Sequence, residues 1–233
     1  MKNYQVSEIK NILGTAKTAL ITVPQLNIDS VGSALALALL LKKSNITTKV
    51  FCPHKTDTNY TKLNGLEILT DVYSQNDLIV TLDYPLDQIE KVTYNQDNGK
   101  LNLVVQTKDG SPKVAENQIL ISNQASAADI NFMLGDETLL GVNANMVNKG
   151  NWINISPTSI EKTWAKVNIL DQDAPFSEIL TFLLPMLELQ LTPESAKNLL
   201  IALRIATQSF SVNVSPETFE AGANCLRATQ NGQ

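Results

Sequence analysis

Residues 19–51 read ALITVPQLNIDSVGSALALALLLKKSNITTKVF, and this stretch decides the fold. Ala19–Val23 is a continuous apolar run, which is typical of a strand buried on both faces of a parallel sheet. A short turn, Pro24–Asn27, leads into a helix over about Ser30–Lys43. Thr47–Phe51 then has the composition of a second strand. The stretch therefore predicts a strand–helix–strand unit with a right-handed crossover.

The rest of the chain repeats this alternation of strand and helix patterns. Around Asn98-Gly99, polar and apolar residues alternate on both sides, which predicts an antiparallel hairpin whose turn has positive φ. We expect one α/β domain over 1–233, with a mainly parallel sheet, helices on both faces, and the hairpin inserted at 84–127. Further strands are predicted over Asp77–Asp83, Asp129–Leu134 and Asn151–Ile155, and helices over Val6–Leu13, Phe176–Leu187, Thr192–Thr207 and Glu217–Thr229.

Composition excludes several classes of protein. With 43% hydrophobic and 18% charged residues, the chain has globular proportions rather than those of a disordered or fibrous protein. Its net charge of −5 argues against strong nucleic-acid binding, and its longest apolar run, Ala34–Leu41, is too short to span a membrane. The N-terminus has no secretory pattern, so we expect a cytoplasmic protein with no membrane contact.

Histidine and cysteine are scarce. His54 is the single histidine, which excludes zinc-finger and Ser-His-Asp chemistry and leaves only carboxylate-based metal sites. Cys52 and Cys225 are too few for a disulfide framework and are expected to be buried thiols. A nucleophilic Cys52 beside His54 is the alternative, although two neighbours on one strand lack an orienting partner.

The turn before the first long helix is the strongest local candidate for a site. A helix N-terminus presents unpaired N–H groups that hold phosphate, and here the groups would be those of Ser30, Gly32 and Ser33. Asp29 could hold a divalent cation beside them. The structural alternative is that Asp29 or Ser30 caps the helix and Gly32 permits close strand–helix packing.

The same turn resembles a known motif. Residues 27–37, NIDSVGSALAL, resemble the first motif of the DHH (Asp-His-His) phosphoesterase family, roughly His-x-Asn-Pro-Asp-x-Asp-x-x-Gly-Ser-x-x-Ala-Leu. The resemblance covers nearly the whole chain and implies the fold of that family's N-terminal domain, as in oligoribonucleases and pAp phosphatases. Further matches follow in the family's order at Trp152–Ile155, Ala165–Asp171, Phe176–Leu180, Thr207–Phe210 and Ser215–Phe219.

Members of that family use carboxylates and histidines to bind two manganese ions, which activate water to cleave a phosphodiester. The resemblance leaves this chain with Asp29 as the one family carboxylate, so we expect no metal cofactor. The other motif positions carry Val23 for the histidine, Asn27 for the first aspartate, Gly135 for the second-motif aspartate, Ser156-Pro157-Thr158 for Asp-His-His, and Ala206 for the last aspartate.

Two carboxylates keep a metal site open. Asp83 also ends a predicted strand, and in a different register it would replace Gly135 as the second-motif residue. Even then two ligands are too few for a two-metal mechanism. Asp29, Asp83 and Asp136 could instead form one weak magnesium site.

The sequence therefore predicts a catalytically inactive relative that acts as a binding or assembly module. Its partner would be a protein or a nucleotide, and a homo-oligomer is also open. One alternative is a manganese- or magnesium-dependent phosphodiesterase, similar to an oligoribonuclease, with a rebuilt site. The other is a metal-free nucleotide sensor that uses the helix N-terminus. The C-terminal substrate-binding domain of the family is expected to be absent from 1–233.

Two weaker candidates each have a structural alternative. Trp164 with Lys162 and Lys166 could stack a nucleotide, whereas Trp152 and Trp164 could simply pack in the core and at its rim. Arg204 could replace a metal's positive charge by pairing with the surviving carboxylate, or it could face solvent.

Overall fold

The computed structural model of the protein describes residues 2–56, 60–73, 77–124 and 128–230. They form two compact units, one of Met1–Tyr73 with Ala127–Gln233 and one of Ser74–Ser126. In chain order the elements are α1 (Ser7–Leu13), β1 (Thr18–Thr22), α2 (Ile28–Lys43), β2 (Thr47–Phe51), β3 (Leu69–Thr70), β4 (Asp77–Leu82), β5 (Ile89–Asp97), β6 (Lys100–Thr107), β7 (Ile119–Gln124), β8 (Ile130–Leu134), β9 (Trp152–Ser156), β10 (Val167–Leu170), α3 (Phe176–Met186), α4 (Pro193–Ala206) and α5 (Pro216–Gln230).

The larger unit is built on a six-stranded sheet of order β10-β9-β8-β1-β2-β3. Every neighbouring pair in it is parallel. From β1 the chain adds strands in one direction through β2 and β3, and from β8 it adds them in the other. The order therefore reverses between β1 and β8, which is where open α/β sheets form their ligand crevice.

Alternation along the strands separates two apolar layers. Ile21, Phe132 and Ile153 point to the layer that the α-helices cover. Met133 and Trp152 point to the other layer, which a 3-10 segment, residues 137–148, covers with Leu140 and Val147. The predicted α/β class is confirmed: helices lie on both faces, α-helices on one and the 3-10 segment on the other. No helix in the described ranges is long and apolar enough to cross a bilayer.

The smaller unit contains two separate antiparallel pairs, β4 with β7 and β5 with β6. The predicted hairpin is confirmed: Asn98 and Gly99 have φ of 49° and 74°, as a two-residue turn between twisted strands requires. The prediction of a buried strand over Asp77–Asp83 was wrong in one respect. The strand forms as β4, but Thr81 and Asp83 are exposed, because an apolar run does not reveal whether a second layer will cover it.

Helix α2 lies at the centre of the larger unit, and eleven of its sixteen residues are buried. Gly32 permits its contact with α4. A Cβ on Gly32 would lie 3.1 Å from the Ala202 Cβ and 3.2 Å from the Asn198 carbonyl oxygen. The glycine therefore sets how closely the two helices approach. The expectation of close strand–helix packing at Gly32 was wrong in its partner, which is the helix α4.

Replacing Gly32 with alanine should destabilise the protein by about 1–3 kcal/mol, because the added methyl overpacks the α2–α4 contact. Urea denaturation monitored by circular dichroism measures the change. Gly14→Ala is the matched control, since Gly14 has φ −61° and a Cβ there would make contacts no closer than 3.4 Å. Equal midpoints for both variants would contradict the tight contact.

Candidate functional site

At the carboxyl ends of β1 and β8, where a ligand crevice is expected, the chain presents backbone and apolar groups. Val23 follows β1 and is fully buried. Gly135 follows β8 with φ 130°, and a Cβ there would lie 3.3 Å from the Pro24 Cδ. The strand that neighbours β1 therefore ends at Gly135, whereas Asp83 follows β4 in the smaller unit. Neither Val23 nor Gly135 offers a side-chain donor atom to a metal.

Asn27 caps α2. Its backbone is extended, and its side-chain oxygen accepts a hydrogen bond of 2.8 Å from the Ser30 N–H. The predicted caps, Asp29 and Ser30, were therefore wrong. Asn27 does the capping because it directly precedes α2 with an extended backbone, whereas Asp29 and Ser30 lie inside the first turn of the helix. The Asp29 carboxylate reaches another helix instead.

Asp29 binds the N-terminus of α3. One carboxylate oxygen accepts the Phe176 N–H at 2.8 Å, and the other accepts the Ser177 N–H at 3.0 Å and the Ser177 hydroxyl at 2.5 Å. The residue before α3 is Pro175, whose side chain cannot cap a helix. Asp29 therefore supplies from 147 positions away the anion that a helix N-terminus favours.

Burial opposes this arrangement electrostatically. It raises the pKa of Asp29 above its ordinary value, although the bonds from Ser177 and Phe176 act to lower it, and the charge of Glu178 raises it further. The charged form of Asp29 is therefore stabilised by its hydrogen bonds rather than by a positive side chain. Both of its oxygens are already in use.

Asp29→Ala should lower the free energy of unfolding by about 2–3 kcal/mol in metal-free buffer, because it leaves two N–H groups and one hydroxyl at the α3 N-terminus without their acceptor. Chemical denaturation in EDTA measures this loss. Ser177→Ala, which removes only the hydroxyl bond, should lose about 1 kcal/mol. A stability of Asp29→Ala equal to that of the wild type would contradict the capping role.

The predicted phosphate-binding groups are used within the fold. The Ser30 N–H is bonded to Asn27, and its hydroxyl donates to the Gln25 carbonyl oxygen at 3.0 Å. Gly32 and Ser33 are the fifth and sixth residues of α2, so their N–H groups lie beyond the unbonded first turn. Ser33 is fully buried. The geometry gives the phosphate prediction no support.

A second charged cluster lies beside the α3 N-terminus. The Lys2 ammonium contacts the carboxylates of Asp171 at 2.7 Å and Glu178 at 2.5 Å. The Tyr4 hydroxyl donates to Asp171 at 2.6 Å, and the Thr218 hydroxyl donates to Glu178 at 2.6 Å. Burial alone would lower the pKa of Lys2, but Asp171 and Glu178 outweigh it and raise that pKa. The N-terminal segment, β10, α3 and α5 are tied together by this cluster.

Lys2→Met should cost about 2 kcal/mol of stability, because Glu178 is only 2% exposed and would lose its cation. A raised pKa means that the folded protein holds the lysine proton more tightly than the unfolded chain. The loss should therefore persist between about pH 6 and pH 9 and shrink only as the pH rises through the pKa of Lys2.

Lys10→Met is the matched control for this prediction. Lys10 also contacts a carboxylate, that of Glu188, at 2.7 Å, but both side chains are exposed. Removal of that pair should change the free energy of unfolding far less than removal of Lys2, because water and salt screen exposed charges. Denaturation of the two variants at several pH values makes the comparison, and equal losses would contradict the buried pairing of Lys2.

The far side of the crevice is also internally bonded. The hydroxyls of Ser156 and Thr158 lie 3.0 Å apart, and the Pro157 carbonyl oxygen accepts the Asp173 N–H at 3.3 Å. Asp136 accepts the Thr138 N–H at 3.0 Å and so caps the 3-10 segment that follows it. These bonds use Ser156, Pro157 and Thr158 to shape the loop after β9.

Charge at this edge is balanced by a lysine. Lys162 lies 2.9 Å from Glu137 and 3.5 Å from Asp136. The Thr138 N–H, together with this lysine, lowers the pKa of Asp136.

The described residues, 2–56, 60–73, 77–124 and 128–230, contain no group of three His, Cys, Asp or Glu residues that could hold a metal ion. Asp29, Asp83 and Asp136 therefore do not form the magnesium site that the sequence left open.

The tryptophans pack in the core. Trp152 is buried, and its ring meets that of Trp164 edge to face at 6.1 Å in the layer opposite the α-helices. Lys166 contacts Glu8 at 2.8 Å.

Arg204 is exposed at the end of α4, which agrees with its solvent-facing alternative. The turn after Arg204 and Ala206 is distinctive, because Gln208, Ser209 and Phe210 all have positive φ without a glycine.

The buried thiols are confirmed. Cys52 and Cys225 are fully buried, and burial raises the pKa of both, that of Cys225 to about 11. His54 is exposed. A raised pKa disfavours the thiolate that a nucleophilic cysteine needs.

Sequence reasoning missed the partners of Asp29 and the Lys2 cluster. Lys2 and Tyr4 lie 169 and 167 positions from their partner Asp171, and no local pattern pairs them with it. A weak signal was available at Pro175, which opens a helix without a capping side chain and so requires one from elsewhere.

Comparison with known proteins identifies the fold. No protein-family model and no curated protein matches the chain. Among solved structures, an exopolyphosphatase-related protein from Bacteroides fragilis superposes with a TM-score of 0.67 at 13% identity, over 96% of this chain and 56% of that one. The two proteins share a fold. This chain spans little more than half the length of its neighbour, and membership of the DHH phosphoesterase family stays a prediction.

Proposed function

We propose that this protein is a catalytically inactive relative of the phosphoesterases that acts as a binding or assembly module, in the cytoplasm and without strong nucleic-acid binding. The bonding of Asp29 supports this most directly. Both oxygens of the one carboxylate kept from the family's first motif accept hydrogen bonds from the start of α3. A metal at Asp29 would have to share these oxygens with the bonds that hold the helix in place.

The residues of the crevice do not fit a pair of manganese ions. Such a pair needs several oxygen or nitrogen ligands at short spacing. Val23 and Ala206 have no donor atom in their side chains, Gly135 has no side chain, and Pro157 has no side-chain donor. The nearby carboxylate of Asp136 is bonded to Thr138 and Lys162.

Calorimetric and thermal-shift titrations with manganese test the proposal. A site with a Kd of about 10 µM would add about 2.7 kcal/mol of stability at 1 mM metal, which is readily measured. We expect no such shift, and no manganese-dependent hydrolysis of bis(p-nitrophenyl) phosphate or of short oligonucleotides.

The variant for this test is Asp29→Asn, which keeps one oxygen for the α3 N-terminus and so disturbs the fold less than alanine. Manganese-dependent hydrolysis that is lost in the folded Asp29→Asn protein would overturn the proposal in favour of a phosphodiesterase. Stabilisation by pAp in EDTA would leave the protein inactive but would make a nucleotide its ligand.

A further inference from the structure

The β5–β6 hairpin divides its side chains sharply between its two faces. Cross-strand partners share a face, and the register pairs Val92 with Val105, Tyr94 with Leu103 and Gln96 with Leu101. One face, which we call the apolar hairpin face, therefore carries five apolar residues and one amide. These are Val92, Tyr94, Gln96, Leu101, Leu103 and Val105.

The opposite face is polar and charged. It pairs Lys91 with Gln106, Asn95 with Asn102, and Asp97 with Lys100, and the Asn102 amide donates to the Asn95 side-chain oxygen at 2.9 Å. Apart from Thr93 and Val104, which also pair there, this face has the composition of a solvated surface. The contrast between the faces fixes which of them requires a cover.

The apolar hairpin face is open to solvent. The exposed fractions are 60% for Val92, 74% for Tyr94, 64% for Leu101 and 57% for Leu103. A two-stranded hairpin is only marginally stable in water unless a third strand or a second layer packs on it. Contiguous exposed apolar side chains of this kind mark interaction surfaces.

We propose that the apolar hairpin face packs against the same face of a second copy of this chain, which makes a four-stranded, two-layer contact about a twofold axis. The inference gives the proposed assembly role a partner and rests on that role. An uncharged face favours an uncharged cover, so it fits another copy of itself better than an anionic or cationic surface.

The available area sets the strength of this contact. The exposed side chains on the face amount to on the order of 500 Å² per copy, or about 1,000 Å² in all, which is the lower limit for a specific interface. Two sheets stacked face to face also fit the usual spacing of about 10 Å. The expected dimer is therefore reversible and dissociates on dilution.

Sedimentation velocity of the full chain from about 5 to 300 µM tests the proposal. We expect the weight-average mass to rise with concentration from 25.5 kDa toward twice that value. Leu103→Glu should remain a monomer at every concentration, because it buries a charge at the contact. Gln106→Glu adds the same charge to the polar face of the same strand and should dimerise like the wild type.

A mixing experiment separates loss of contact from loss of folding. Leu103→Glu and Leu103→Lys should each be monomeric alone and should associate when mixed, since the two facing surfaces then carry opposite rather than like charges. A wild type that stays monomeric at 300 µM overturns the proposal, as does a Leu103→Glu variant that dimerises normally. Flotation of the monomer with phosphatidylcholine–phosphatidylglycerol vesicles, lost in Leu103→Glu, overturns it in favour of a lipid.

The outcomes are distinct from those for the proposed function. Manganese-dependent hydrolysis would refute the inactive module and leave the sedimentation result unaffected. A strict monomer without hydrolysis would refute the dimer and leave an inactive module with a different partner.

Discussion

The contact between the Asp29 carboxylate and the first turn of α3 is the constraint on which the larger unit depends. It joins the start of α2, next to the strand-order reversal, to the helical layer made by the last third of the chain. Because Pro175 cannot cap α3, no nearby side chain supplies this acceptor. The residue that the family resemblance assigns to a metal is therefore also a structural residue here.

This dual assignment changes how a loss-of-function variant is interpreted. A carboxylate that caps a helix and a carboxylate that binds a metal both produce a defect when replaced by alanine. The two differ in their response to metal: a cap contributes the same stability in EDTA, whereas a ligand contributes only when the ion is bound. The Lys2 cluster reinforces the same helix start from the other side, through Asp171 and Glu178.

Local patterns predicted much of the fold. Three features can be predicted from a few neighbouring residues, and each is present as expected. They are the apolar run of β1, the turn pair Asn98-Gly99 and the Thr192-Pro193 start of α4. The two-residue β3 and the strand β7 were not predicted, because neither carries a strong periodic signal. The role of Asp29 could not be predicted either, since its partners lie 147 and 148 positions away.

The central position of α2 has a consequence for synthesis on the ribosome. Its buried side chains, including Leu35, Leu37 and Leu41, pack among the sheet and the helices α3 and α4, which belong to the last third of 1–233. Until residues beyond 176 emerge, a sixteen-residue apolar helix has no complete cover and Asp29 has no helix to cap. The nascent chain therefore exposes the apolar side chains of α2 for most of translation. Chaperones should bind mainly to α2 during that interval.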